Sequence, residues 1–252
     1  MKEAYVNYTI ENGIGKIEFF HPRSNSLPGT ILQELAETIT KAGKDDNVKV
    51  IRLSSGGEKA FCAGASFDEL SEINEFSIGK KFFMGFANVI NAMRKAPKFI
   101  VTAVQGKVVG GGVGLVAASD YAIATNGSDM KLSELALGIG PFVVGPAVER
   151  KVGLAAFSHM SIDYDWYSAD WSKSCGFYTK LFPSFEKLHS EVDTLCEKFA
   201  NGSLDAMSEL KKVIWEGTEN WDELLEKRAE ISGRLVLSDF TKNYIKEFKS
   251  KK

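Results

Sequence analysis

Cysteine is scarce in this 252-residue chain: Cys62, Cys175 and Cys196 stand far apart, with no Cys-x-x-Cys pair. That excludes a disulfide framework and a thiolate zinc cluster as organising devices. Histidine is as scarce, and His21, His159 and His189 share no metal-ligand spacing. An excess of one charge is missing too. The formal net charge of -2 gives neither nucleic acid nor an anionic membrane an electrostatic hold. No apolar run suits a bilayer span, because the most apolar stretch, residues 99–118, contains Gln105, Lys107 and repeated glycine. The first residues, Met1-Lys2-Glu3-Ala4-Tyr5, lack the apolar centre of a secretion signal. A reducing cytoplasm is therefore the expected location. The basic tail of Lys246, Lys249, Lys251 and Lys252 reads as a solvated chain end. No Gly-x-x-x-x-Gly-Lys-Ser/Thr phosphate loop is present.

What is present is an alternation of β-branched runs and helical periodicities, in a chain long enough to bury a sizeable core. Residues 5–10 and 14–20 flank Asn12-Gly13 and read as a hairpin. Pro28 opens a helix with Ile31, Leu35 and Ile39 on one face. Residues 48–53, 99–104 and 121–124 read as strands. Phe82, Phe83, Phe86, Val89, Ile90 and Met93 recur at helical spacing until Pro97 stops them. This order predicts an α/β core with mainly parallel pairing over residues 1–183. From 184 to 252 only helical faces follow, such as Val192, Leu195, Cys196 and Phe199, then Met207, Leu210 and Ile214, then Trp221, Leu224, Leu225 and Ile231. They predict a helical C-terminal subdomain.

Two segments of small residues are the chemical clue. They are Phe61-Cys62-Ala63-Gly64-Ala65-Ser66 and Gly110-Gly111-Gly112-Val113-Gly114-Leu115, each after a strand pattern and before a helix pattern. Small side chains there leave backbone N–H groups open, and a helix N-terminus adds partial positive charge. Two such ends facing one another can hold a developing oxyanion. Close helix–sheet packing also explains such a glycine cluster. A third reading is the dinucleotide fingerprint, since residues 112–117 match Gly-x-Gly-x-x-Ala and Glu134 lies about where the ribose acid belongs. That fingerprint follows the first strand directly, whereas here Gln105-Gly106-Lys107-Val108-Val109 and a long preceding α/β region intervene.

Four segments together resemble the crotonase (enoyl-CoA hydratase/isomerase) superfamily, in order and in spacing. They are His21-Pro22-Arg23-Ser24-Asn25-Ser26-Leu27, Phe61 to Leu70, Val104 to Gly112, and Lys131-Leu132-Ser133-Glu134-Leu135-Ala136-Leu137-Gly138-Ile139. The resemblance implies a crotonase-like spiral of ββα turns and a helical tail used in trimerisation. It also implies an acyl-CoA thioester substrate with no further cofactor, and a homotrimer or homohexamer. By motif position, the backbone N–H groups of Ala65 and Gly111 would hold the thioester carbonyl. Arg23, Ala63, Ala65, Ser66, Phe67, Asp68 and Gly111 would contact substrate and coenzyme, and Arg23 suits a phosphate by charge and geometry.

Hydratases of the family carry one catalytic Glu two residues after the glycine triplet and a second twenty residues later. This chain has Gly114 at the first position and Glu134 at the second. One carboxylate suits removal of a proton from C2 of a 3-enoyl thioester and its return at C4. The surroundings of Glu134, with Pro141-Phe142 following, look closer to the Δ3,Δ2-enoyl-CoA isomerase branch. The expected activity is thus enoyl-CoA isomerisation, the alternatives being a hydratase with a non-standard second acid and a non-catalytic acyl-CoA-binding homologue. Ser66 replaces an Asp common in relatives, Asp120 matches a structural position, and Cys62 reads as a small buried hydrophobe. The Tyr- and Trp-rich residues 158–174 suggest an unusual acyl group.

Overall fold

Asn12 and Gly13, at φ 51° and 80°, make the two-residue turn between β1 (Tyr5–Glu11) and β2 (Ile14–Phe20), with the twist that a hairpin needs. The computed structural model describes residues 3–250. Pro28 then caps α1 (Gly29–Lys44). Three passes of similar plan follow. The first is β3 (Val50–Ser55), β4 (Ala60–Cys62), α2 (Phe67–Glu72) and α3 (Phe76–Lys95). The second is β5 (Ile100–Val104), β6 (Lys107–Val109) and α4 (Gly111–Ala118). The third is β7 (Tyr121–Thr125), β8 (Met130–Lys131), α5 (Gly145–Asp163) and α6 (Ala169–Ser174). β9 (Lys180–Phe182) ends the strands, and α7 (Phe185–Ala200), α8 (Leu204–Ile214), α9 (Trp221–Leu235) and α10 (Asp239–Ser250) complete the chain.

Each pass gives one strand to a six-stranded sheet, ordered β1-β2-β3-β5-β7-β9, and one to a three-stranded sheet, ordered β4-β6-β8. Apart from the β1–β2 hairpin, all neighbours in both sheets are parallel. The result is the expected α/β spiral of ββα turns. The strand readings at 5–10, 14–20, 48–53, 99–104 and 121–124 correspond to β1, β2, β3, β5 and β7, while β4, β6, β8 and β9 are too short to show a period.

Both faces of the large sheet are buried, as parallel strands require. Ile51, Leu53, Ile100 and Val104 join the core shared with α1, α3 and α4. Val50, Val101, Ala103 and Ile123 point the other way, against Leu188, Val192 and Cys196 of α7. The C-terminal helices thus pack into the same cores as the spiral. α9 crosses α3 backbone to backbone: a Cβ on Gly233 would lie 2.6 Å from Lys80 N, and one on Gly79 would lie 2.9 Å from Gly233 O. α10 folds over α2, stacking Phe248 on Phe67 at 4.4 Å. Lys249 of the basic tail is not simply solvated, since its Nζ contacts Asp68 and Ser71. Lys251 and Lys252 lie outside the described residues, as do Met1 and Lys2.

Asp120 anchors α8. Its carboxylate, almost sealed from solvent, pairs with Lys211 at 2.8 Å and accepts from Ile100 N and Trp215 Nε1. Lys211 also donates to the carbonyls of Met93 and Lys98. Among the described residues no helix is long and apolar enough to cross a membrane, and no group of three or more His, Cys, Asp or Glu could hold a metal ion.

Candidate active site

The small sheet assembles the site. Its register sets Cys62 beside Val108 and Val109 beside Lys131, so the three C-terminal strand ends lie side by side. β4 runs into Ala63–Ser66, β6 into Gly110 and Gly111, and β8 into Ser133 and Glu134. Ligand sites in parallel sheets form at such strand ends. Leu27 clamps the first segment by donating to Gly64 O at 2.8 Å and accepting from Ser66 N at 3.3 Å. Gly110 N donates to Lys131 O at 2.8 Å and so ties the second segment to the third.

Each glycine of the triplet is dictated by a different neighbour. Gly110, at φ 54°, would set a Cβ 3.1 Å from Glu134 Oε1. A Cβ on Gly111 would lie 2.0 Å from the Phe86 ring, and one on Gly112 would lie 2.6 Å from Cys62 Cβ. No hydrogen bond among the described residues engages the N–H of Ala65 or of Gly111. Both residues line one cleft, and Gly111 opens α4. Two uncommitted donors and the positive helix end therefore border the same space, the arrangement an oxyanion requires.

Glu134 lines that cleft as the only ionisable group among its described lining residues. Leu137, Ile139, Phe142, Val143 and Val144 line it as well, together with Phe83 and Phe86 of α3. The residue as a whole is half-buried, but Oε2 is out of solvent and has no hydrogen-bond partner. Burial pushes the carboxyl from its ordinary 4.5 to about 7, against the pull of the N–H groups of Glu134 and Ser133. A carboxyl there is poised to exchange a proton near neutrality.

Gly114 carries no acid, and the fold leaves no ready space for one. A Cβ there would lie 2.5 Å from Val144 Cγ1 and 3.5 Å from Ile90 Cδ1. Sequence reasoning missed Val144, which sits in a loop without periodicity, thirty positions downstream. It also missed Ser232, a buried α9 residue in the cleft wall. Gly112 and Gly114 face Cys62 and Val144 rather than a cavity, which removes the support for the dinucleotide reading.

Arg23 lies at the mouth. Its exposed guanidinium pairs with Asp68 at 2.8 Å, and Asp68 also faces Lys249 at 3.5 Å. Arg23, Ser66, Asp68 and Phe248 border a depression that shares Ala63, Ala65 and Phe67 with the cleft. Ser66 Oγ caps α2 by accepting from Glu69 N at 3.4 Å. The Glu69 carboxylate in turn accepts from Gly29 N, at the start of α1.

The remaining candidates stand apart. Cys62 Sγ accepts from Gly64 N, and burial pushes its thiol up to about 12, so it is inert. His21 contacts Ser26, His189 lies against Arg52, and His159 is exposed. Residues 158–174 correct an expectation, because none of them lines the cleft. Tyr167 instead extends the small sheet by an antiparallel bridge to Met130, and Trp166 lies under Lys107 Nζ at 4.5 Å. Tyr167 and Trp171 pack on one another at that edge, while Tyr164 and Trp166 stay exposed.

A profile of the enoyl-CoA hydratase/isomerase family matches residues 9–250. The trans-2-decenoyl-[acyl-carrier-protein] isomerase of Streptococcus mutans is 21% identical over 252 residues, covering 97% of this chain and 95% of its own. The ethylmalonyl-CoA decarboxylase of Xenopus laevis is 26% identical over 229 residues, covering 88% and 76%. The crystal structure of an enoyl-CoA hydratase from Bacillus halodurans superposes with a TM-score of 0.88 at 19% identity, covering 96% of this chain and 99% of that one. This last match is a likeness of fold. The three relatives bear the names of three different reactions.

Proposed function

The chain belongs to the enoyl-CoA hydratase/isomerase family, and within it we propose that it moves the double bond of a 3-enoyl-CoA to the 2-position, with Glu134 as the one base. The thioester oxygen accepts from the N–H groups of Ala65 and Gly111. Each such donor is worth about 2.7–4 kcal/mol when charge develops on the oxygen. Glu134 removes a proton from C2. The electron pair delocalises over the dienolate, and the same proton returns at C4 as the double bond settles between C2 and C3. One base serves both carbons because both carry the charge.

The observation that carries this reading is the pairing of a lone carboxyl with a blocked second position. Hydration needs a water held and deprotonated in the cleft. Here Val144 fills the space beside Gly114, from which a second carboxylate would project, and no other ionisable group is among the described lining residues. Glu134's pKa of about 7 suits a base that must also give the proton back. Arg23 and the segment Ala63, Ala65, Ser66, Phe67 and Asp68 then border the coenzyme. The substrate brings its coenzyme A, and no further cofactor takes part. Homotrimers, alone or paired into hexamers, would cover exposed Leu154, Ile162 and Phe240.

Purified protein offered 3-enoyl-CoA and 2-enoyl-CoA in parallel tests the proposal. Conversion of the first without hydration of the second is expected. Water addition to the second would replace it with a hydratase. Coenzyme A binding without turnover of either would replace it with a binding role or another thioester reaction.

A further inference from the structure

Phe83 and Phe86 of α3 line the cleft one turn apart, and the helix itself supplies a scale. Phe86 meets Gly111 at the carbonyl-binding end, where a Cβ on the glycine would strike the ring. Phe83 lies one turn earlier and Gly79 about one turn before that, the stretch from Phe86 to Gly79 rising about 10 Å. At Gly79 the backbone of α9 closes onto α3 through Gly233. The neighbouring Ser232 both lines the cleft and is only 1% exposed. The cleft that includes the Gly111 donor thus also includes a small side chain, sealed from water, next to the α3–α9 crossing. Phe67, Leu70, Phe83 and Leu137 make the path between apolar.

We infer that the α3–α9 crossing at Gly79 and Gly233 measures the acyl chain, with Ser232 as the stop, so that the site selects medium-chain thioesters over short and long ones. The inference rests on the acyl-CoA reading above and adds the substrate's length to it. A staggered alkyl chain advances about 1.25 Å per carbon, from C–C bonds of about 1.5 Å. About 10 Å therefore takes a chain of roughly eight to nine carbons counted from the carbonyl. Shorter chains leave apolar wall uncovered, at about fourfold in affinity per missing methylene. Longer chains meet closed backbone, because the two glycines bring the helices too near for an alkyl chain to pass. Ser232 is small enough to leave the last carbons room, and a larger residue there would shorten the scale.

Calorimetric titration with butanoyl-, octanoyl- and hexadecanoyl-CoA, the last below its micelle concentration, tests this without requiring turnover. Octanoyl-CoA is expected to bind at least about tenfold more tightly than butanoyl-CoA, and hexadecanoyl-CoA no more tightly than octanoyl-CoA. Ser232→Leu should reduce the octanoyl-to-butanoyl affinity ratio by about fivefold or more, while Ser232→Ala keeps it within about twofold. Affinity that keeps rising to sixteen carbons, or that is flat from four to eight, would overturn the scale and leave the acyl-CoA reading standing. So would a ratio unchanged in a folded Ser232→Leu protein. Failure to bind any of the three would overturn both. Should Ser232→Leu not fold, the wild-type length series decides alone.

Discussion

Val144 occupies the space that a side chain at Gly114 would need, its Cγ1 only 2.5 Å from the position of a Cβ there. The two residues form one unit of packing although thirty positions separate them. Gly114→Ala should therefore destabilise the protein by about 1–3 kcal/mol of overpacking, reduced by about 1 kcal/mol of helix propensity. Adding Val144→Ala should relieve the clash, so that a double-mutant cycle by urea denaturation shows coupling of at least about 0.5 kcal/mol. Additive effects would mean that the contact is not felt.

Glu134 makes two pH predictions. As a base it must be ionised, so kcat/KM should rise about tenfold per pH unit below 7 and level off above it. Glu134→Gln should abolish isomerisation at every pH. An active Gln variant would remove Glu134 from the chemistry.

The same carboxyl also bears on stability. Its folded pKa is raised from 4.5 to about 7, so the folded protein holds a proton that the unfolded chain has released between those values. Stability from this group is therefore lost as pH rises from 4.5 to 7, by about 3 kcal/mol at most. Glu134→Gln should be the more stable protein at pH 8, with the difference shrinking toward pH 4.5. Denaturation curves at the two pH values check the sign.

Thiol labelling should discriminate the three cysteines. Cys62 and Cys196 are buried, with both thiols pushed up to about 12 by desolvation, whereas Cys175 is half-exposed. Iodoacetamide at pH 8 is expected to modify Cys175 first and the other two only on unfolding. Rapid loss of Cys62 from the native protein, followed by peptide mapping, would contradict the packing described for β4.

Two neighbouring lysines of α8 should behave oppositely. Lys211→Met leaves the buried Asp120 carboxylate without its cation and should cost about 3–5 kcal/mol. Lys212 pairs with Glu209 in the open, and Lys212→Met should change stability by less than about 1 kcal/mol. Chemical denaturation of both variants measures the contrast.

How far the chain could be read depended on whether a feature is local. The runs at 14–20 and 99–104 announce strands because several consecutive β-branched and aromatic residues repeat the signal. β6 and β8 have three residues and two, and pairing with distant strands, not propensity, makes them strands. The glycine triplet was legible as a place of close backbone approach. Which neighbour required each glycine was not, because Glu134, Phe86 and Cys62 reach it through space. The aromatic residues of 158–174 misled for the same reason. Composition shows that they are large and apolar, but only the bridge between Tyr167 and Met130 shows that the segment runs along a sheet edge, and none of it lines the cleft.

The small parallel sheet brings together three strand ends contributed by three separate passes of the chain, and each end carries its own part of the site. In the proposed reaction, residues 63–66 and 110–111 supply the grip on the carbonyl, and 133–134 supply the proton carrier. Revision of one ending need not re-register the other two, because each strand is fixed by its own ladder. A lineage with this architecture can keep its grip on one activated acyl group and redraft what happens next to it, one loop at a time. Gly114, nearly one turn beyond Gly111 in α4, is where Val144 of another ending closes off such a change in this chain.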